Sequence, residues 1–260
     1  MRMREAFVIA ICTMFSFVAL GCAGGELHGG TIQEPTQQEA PASAEAEHIE
    51  RGDSTEANGD PVEESPKDLI VSESGFSVDS YGQIYYAAII ENPNTSWAAV
   101  NISVNITIKD ADGNIIGSES DYLSTLFASG KLAVCGYTFD AEDAASIEVS
   151  PTVSGNCWTM IPDVTQGDID RTLYVDSLNI VPGDFDTTIT GAAHNDTDSE
   201  FSLARANIVL RNNNGDIVGG TFTYIDTMAP QSTNSFSASV DSEIPVDKAE
   251  AYLDLGYVMD

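Results

Sequence analysis

The sequence repeats one pattern at a spacing of 102 residues. The segment KDADGNIIG (residues 109–117) recurs as RNNNGDIVG (residues 211–219), and the similarity continues into the residues on both sides. A chain that resembles itself in this way is built from copies of one structural unit. The folded region therefore has to adopt a fold that each of its halves can form.

Apolar and polar residues alternate in both copies just before this segment. In the first copy the apolar positions are Val100, Ile102, Val104, Ile106 and Ile108, and in the second they are Ala204, Ala206, Ile208 and Leu210. A period of two is typical of a β-strand with one buried and one wet face. A second β-rich run follows each glycine-containing turn, so each copy is predicted to contain a hairpin.

Further short strands are predicted in both halves, and no segment has the pattern of an amphipathic helix. They cover residues 84–91, 135–139 and 147–149, with counterparts at residues 187–193, 236–240 and 249–253. This arrangement predicts an all-β protein of two tandem β-sandwiches, at residues 69–157 and 170–260. The join contains Pro162 and Gly167 and has no strong period, so the two sandwiches are expected to fold separately.

The repeated turn could be read as a calcium loop, because Asp110 and Asp112 alternate before Gly113. The matching positions of the second copy hold Asn212 and Asn214, which bring no charge to a cation. An EF-hand also places its glycine at the sixth loop position, whereas Gly113 is the fourth from Asp110. Both segments are therefore predicted to be turns, and we expect no metal or cofactor.

The pattern around the turn resembles the FxLYD domain family. The naming motif falls on Ile106, Ile108, Lys109 and Asp110 in the first copy and on Ile208, Leu210, Arg211 and Asn212 in the second, with Asn92 and Asn195 at an upstream strand end. The resemblance implies immunoglobulin-like domains of the kind that recur in bacterial exported proteins and lipoproteins without assigned activity. It implies a binding or spacer module whose partner is an unidentified envelope or extracellular protein or glycan.

The N-terminus has the organisation of an export signal. Arg2 and Arg4 precede an uncharged run over residues 6–20, which is short for a membrane span and suits the apolar region of a signal peptide. The sequence ALGC resembles a bacterial lipobox, which implies cleavage after residue 21 and acylation of Cys22. A lipid anchor on the extracytoplasmic face of the cell membrane is the resulting prediction; an ordinary secretory signal containing a cysteine is the alternative.

Residues 22–68 are rich in Glu, Gln, Ser, Gly and Pro, and such a segment is predicted to be a disordered acidic tether. It contains the tripeptide RGD (residues 51–53), which integrins read but which also arises readily by chance.

The whole chain carries 41 acidic and 10 basic residues, a formal charge of −31. Nucleic acid is therefore excluded as a partner, because its phosphates require clustered Lys and Arg.

Little in the sequence indicates an enzyme. His28 and His48 lie in the tether, His194 stands alone at a strand end, and no nucleophile, phosphate-loop or metal-ligand motif is present. Cys135 and Cys157 are candidates for a disulfide after export, with two reduced thiols as the alternative.

Because catalytic motifs are missing, we expect a non-catalytic binding or envelope module. A carbohydrate- or peptide-binding surface protein, with Trp97 and Trp158 as an aromatic platform, is the second possibility. An enzyme, for which the many carboxylates could supply a glycosidase pair, is the third.

Overall fold

The structure, a computed structural model, describes residues 65–139 and 141–259. The predicted signal peptide, Cys22, the RGD tripeptide and the tether up to residue 64 lie outside the described residues. Within the described part of the chain, no helix is long and apolar enough to cross a membrane.

The first copy consists of seven strands. They are β1 (Ile70–Val78), β2 (Ile84–Glu91), β3 (Trp97–Lys109), β4 (Ile115–Leu126), β5 (Lys131–Thr138), β6 (Ser146–Thr152) and β7 (Trp158–Met160). A 3₁₀ turn at Gly155–Cys157 precedes β7, and a single helical turn, α1 (Gln166–Ile169), connects the copies.

The second copy repeats this order. Its strands are β8 (Leu173–Pro182), β9 (Asp186–Asn195), β10 (Glu200–Arg211), β11 (Ile217–Met228), β12 (Ser232–Asp241), β13 (Lys248–Asp254) and β14 (Tyr257–Met259).

Each copy forms one three-stranded and one four-stranded antiparallel sheet. The orders are β1-β2-β5 and β4-β3-β6 in the first copy, with β7 on β3, and β8-β9-β12 and β11-β10-β13 in the second, with β14 on β10. The two halves thus share one strand order, as the sequence repeat predicts. The prediction of an all-β, sandwich-type fold is confirmed.

The alternating residues fill the space between the sheets of each copy. Ile102, Val104, Ile106 and Ile108 of β3 are fully buried, whereas Asn101 and Asn105 of the same strand are exposed. In the second copy Ala204, Ala206, Ile208 and Leu210 of β10 occupy the equivalent places. Burial of these apolar side chains, at about 25 cal/mol per Å², is the main force that holds each pair of sheets together.

The first hairpin turn uses its aspartate as a local hydrogen-bond acceptor. The Asp110 carboxylate accepts hydrogen bonds from the backbone amides of Asp112 (2.9 Å) and Asn114 (2.8 Å) and from the Asn114 side chain (2.9 Å). Gly113 adopts a φ of 83°, a left-handed conformation that favours glycine. These bonds hold the pKa of Asp110 below its usual range.

The second hairpin turn has the same geometry without the charge. The side-chain oxygen of Asn212 accepts from the amides of Asn214 (2.9 Å) and Asp216 (3.0 Å), and Gly215 has a φ of 90°. Because an amide oxygen serves as well as a carboxylate, the residue at this position is selected as a turn former. The prediction that both segments are turns is confirmed.

A buried asparagine ties the edges of the two sheets together in each copy. The Asn92 amide donates to the carbonyls of Trp97, Leu126 and Phe127, at 2.8–3.2 Å. Asn195 donates in the same way to Ser199, Met228 and Ala229, at 2.8–3.0 Å. The Asn at each strand end is therefore a structural residue that satisfies carbonyl groups buried away from water.

The two copies pack face to face, and all the described residues belong to one compact unit. Strand β2 is buried on both sides: Ile84 and its alternate residues face the first core, whereas Tyr85, Ala87 and Ile89 face the second copy. Each copy nevertheless has its own pair of sheets. The separate folding of residues 69–157 and 170–260 stays a prediction.

Small residues allow the close approach of these two sheets. A Cβ on Gly75 of β1 would lie 2.1 Å from the Ile217 carbonyl oxygen, and one on Gly220 of β11 would lie 2.8 Å from the Cys135 Sγ. Strand β11 therefore runs across the β1-β2-β5 sheet, from β1 at Ile217 to β5 at Gly220. A larger side chain at either glycine would force the sheets apart.

The packing of the two copies also explains the state of Cys135. Its thiol is free and fully buried, and it points out of the first sandwich toward Gly220 of the second copy. The possible disulfide between Cys135 and Cys157 is therefore not formed, because Cys135 belongs to the docking face and Cys157 to the turn before β7. Burial in apolar surroundings raises the pKa of the Cys135 thiol.

The outward face of the second copy's three-stranded sheet is more polar than its counterpart. Where the first copy presents Tyr85, Ala87 and Ile89, the strand β9 presents Thr188, Thr190 and Ala192, which are half-buried. Hydroxyl-bearing side chains gain little from docking another sheet, as is usual on the terminal face of a repeat. The docking thus depends on residues in which the two copies differ.

Candidate functional site

The junction cleft, a cavity of about 470 Å³, lies where the two copies meet the connector. Four segments line it: residues 129–132 at the start of β5, residues of α1, residues 173–175 of β8 and residues 251–253 of β13. Its volume is within the range of small-ligand sites, which commonly occur between domains.

The helical turn α1 forms one wall and is fixed by hydrogen bonds. The Gln166 side chain accepts from the Phe127 amide (3.2 Å) and donates to the Asp170 carboxylate (2.9 Å). Gly130 leaves room for it, since a Cβ there would lie 2.3 Å from the Gln166 Cβ. Burial raises the pKa of Asp170, although the bond from Gln166 opposes this rise. Asp170 is thus a positioned carboxyl group at the wall of the cleft.

The β5 side of the cleft carries a cation. Lys131 forms an ion pair with Glu91 of β2, and about half of the lysine side chain stays exposed. The hydrogen bond from Lys131 lowers the pKa of Glu91. Because the pair is exposed to water, it adds little stability, and the ammonium group remains accessible to a ligand.

Two tyrosines line the part of the cleft that the second copy contributes. Tyr174 of β8 stacks on the ring of His194, with ring centroids 4.5 Å apart and an angle of 11° between the planes. Tyr252 of β13 packs against the apolar residues of the sheet interface. Burial, with the nearby Glu250 carboxylate, raises the pKa of Tyr252 to about 12. Both phenols are therefore neutral hydrogen-bonding groups on apolar rings.

His194 is held in place by its neighbours. Its Nε2 lies 3.0 Å from the Asp176 carboxylate and its Nδ1 lies 3.0 Å from the Thr233 hydroxyl. These contacts use both ring nitrogens and fix the orientation of the imidazole, which stacks on the Tyr174 ring. Within residues 65–139 and 141–259, no group of three or more His, Cys, Asp or Glu side chains could hold a metal ion.

The two tryptophans were named above only as part of the second possibility, a binding surface with an aromatic platform. Both are half-buried, and Trp158 packs against the core of the first copy. They lie on the adjacent strands β3 and β7, where Trp97 pairs with Met160 and Trp158 with Ala99. The pairing of the short strand β7 with β3 explains the position of both tryptophans.

The cleft combines aromatic rings, an accessible ammonium group and a partly buried carboxyl group. Such a surface can bind a ligand that presents an apolar face together with hydrogen-bonding groups. Sequence reasoning missed this site, because its residues come from four segments that are distant along the chain. The apolar character of all of IYYAAII (residues 84–90) was a signal in the sequence that β2 has a second covered face and that the copies meet.

No protein-family model and no curated protein matches the chain. Solved structures that match include a red sea bream transglutaminase (13% identity, TM-score 0.24) and an Amycolatopsis orientalis exo-chitosanase (13% identity, TM-score 0.22). The matches cover 74% and 71% of this chain but only 30% and 26% of those proteins.

A third match is the N-terminal CBM22-1-CBM22-2 tandem domain of Paenibacillus barcinonensis Xyn10C, with 7% identity and a TM-score of 0.16. It covers 73% of this chain and 86% of that one. Similarity at this level carries no information about function.

Proposed function

We propose that the protein is an extracytoplasmic lipoprotein that is anchored to the cell membrane through acylated Cys22 and acts by binding. Its ligand would be a glycan or peptide of the envelope or the extracellular space, held in the junction cleft. The observation that carries the proposal is that the cleft is lined by both copies and by the connector.

The cleft residues support binding in several ways. Tyr174 and Tyr252 offer apolar rings with polar ends, which suit sugar rings and peptide side chains alike. Lys131 and Asp170, which also line the cleft, provide charge and directional hydrogen bonds. The bonds of Gln166 and the stack on His194 hold the walls in place, which lowers the entropy lost on binding.

The anchor and the tether are supported by the sequence alone. A lipobox-like ALGC follows the apolar run, and the acidic segment after it would hold the folded part away from the lipid surface.

A thermal-shift screen of the purified soluble chain against envelope glycans and peptides tests the binding proposal. A ligand should raise the melting temperature of the wild type, and Tyr174→Ala should weaken its binding about tenfold. Tyr122→Ala is the matched control, because Tyr122 is an exposed tyrosine on β4 outside the cleft. Ligand bound equally by both variants would place the site elsewhere, and conversion of the ligand, detected by mass spectrometry, would contradict a non-catalytic role.

A further inference from the structure

Three buried polar atoms lie on the face of strand β10 that points away from the core of the second copy. They are the Nε of Arg205 and the Oδ1 and Nδ2 of Asn207. None of the three has a hydrogen-bond partner among the side chains and backbone groups of residues 65–139 and 141–259. Buried polar groups are nearly always paired, because an unpaired one loses its hydration without compensation.

The alternation of β10 places these atoms between the two copies. Ala206 and Ile208 belong to the core of the second copy. The residues beside them, Arg205, Asn207 and Val209, therefore face the opposite side of the strand. On that side Arg205 donates hydrogen bonds to groups of β4 and β5, and Val209 packs on residues of β2 and β5. Asn207 lies between these two contacts and is fully buried, so the first copy covers it.

The equivalent asparagine of the first copy has an exposed position and a partner. Asn105 stands 102 residues before Asn207, on the outer face of β3, and its Oδ1 accepts a hydrogen bond from the Ser120 hydroxyl (3.0 Å). In the second copy Phe222 takes the place of that serine and lies opposite Asn207 in the β10–β11 register. Asn207 thus carries the same polar groups without this partner and without contact with bulk water.

Water is the ligand whose chemistry fits these atoms. Arg205 Nε and Asn207 Nδ2 donate, whereas Asn207 Oδ1 accepts, so the ligand has to accept and donate at once. An anion would meet the Oδ1 acceptor and the Asp121 carboxylate that already pairs with Arg205, and a cation would meet the guanidinium group. Alternate residues of a strand are about 6.5 Å apart. One or two water molecules, with hydrogen bonds of about 2.9 Å, can therefore join the two side chains.

We infer that ordered water is bound between the two copies, where it accepts hydrogen bonds from Arg205 Nε–H and Asn207 Nδ2–H and donates to Asn207 Oδ1. The second copy supplies the polar groups, and the first copy closes the site. The water allows an asparagine to lie at an otherwise apolar contact without the cost of an unpaired amide. It is a part of the docking contact and is separate from any ligand of the junction cleft.

Water–protein NOE and ROE spectroscopy of the folded ¹⁵N-labelled chain tests this inference. The side-chain amide protons of Asn207 are assigned from Asn207→Leu, in which their signals are lost. In the wild type they should show cross-peaks to water whose NOE and ROE have opposite signs, as for a water that tumbles with the protein. Asn105 is the matched control, because the same side chain is exposed there. It contacts only bulk water, so its NOE and ROE to water should be weak and of the same sign.

A hydroxyl proton that exchanges with water can imitate such a cross-peak, and Tyr252 lies opposite Asn207 in the β10–β13 register. Tyr252→Phe removes this hydroxyl and should leave the cross-peak of Asn207 in place. Its loss in that variant, its absence from the wild type, or equal behaviour of Asn207 and Asn105 would each overturn the inference.

A crystal structure of the wild-type chain is a second measurement that needs no variant. Electron density for water is expected within about 3.2 Å of both Arg205 Nε and Asn207 Oδ1. Direct hydrogen bonds from the Asn207 side chain to protein groups, with no water between them, would contradict the inference.

Discussion

Replacing Arg205 by methionine tests how the two copies are held together. Only 7% of the Arg205 side chain and 21% of the Asp121 side chain are exposed, so water screens this pair weakly. The change removes two bonds to Asp121 and one to the Cys135 carbonyl, and it leaves both acceptors without their donor at the interface.

Removing one partner of a buried ion pair costs about 3–5 kcal/mol. Because Asp121 can regain some hydration at the edge of β4, we expect the lower end, about 3 kcal/mol in the free energy of unfolding. Arg205→Lys should cost less, since the ammonium keeps the charge but loses the bidentate geometry.

The assay is equilibrium denaturation in urea, with Arg171→Met as the matched control. Arg171 makes the same kind of pair with Asp168, but 77% of its side chain is exposed, so its loss should cost less than about 1 kcal/mol. If Arg205→Met and Arg171→Met reduced the free energy of unfolding equally, the interface arginine would not be a determinant of stability and the reasoning would be refuted.

Three further outcomes are expected. Cys22→Ser should release the protein or leave it as uncleaved precursor; mature protein that still partitions into detergent would show that Cys22 is not the anchor. Calcium should leave the melting temperature unchanged, and Asp112→Asn should hardly change it, because the second copy has Asn214 at the matching position of its turn; a rise of several degrees with calcium would contradict the turn assignment. Burial raises the pKa of Asp254, whose carboxylate accepts hydrogen bonds from Ser124, so the folded state holds this proton more tightly than the unfolded state. The contribution of Asp254 to the free energy of unfolding should then fall as the pH rises from about 4, the ordinary aspartate value, through the raised pKa; Asp254→Asn should remove this contribution, and parallel pH profiles of the wild type and the variant would contradict it.

The sequence predicted strands that are rich in buried apolar residues and left out two strands that lack such a pattern. The strand over residues 84–91 was predicted with its observed bounds, and β3 and β10 differed only by a few residues at their starts. By contrast, β1 and β8 were not predicted as strands. They mix exposed and half-buried residues and contain register shifts that break the period of two.

The docking of the copies and the sites that depend on it were not predicted. Alternation shows which side chains of a strand face its own core, but it does not show what covers the other face. The alternating pattern places Arg205 on the solvent-exposed face of β10. It is buried, however, because the first copy lies against it. Comparison of the copies offered a signal, since Tyr85, Ala87 and Ile89 are replaced by two threonines and an alanine in the second copy.

Expression of residues 69–157 and 170–260 as separate chains is the most direct test of the central claim, that two copies of one fold are docked through faces in which they differ. We predict that each chain alone gives dispersed amide signals and a cooperative melt, and that mixing them shifts the signals of Ala87, Cys135, Arg205 and Gly220. Two folded chains that do not interact would contradict the docking. A chain that is disordered alone and folds only on mixing would contradict the presence of two complete copies.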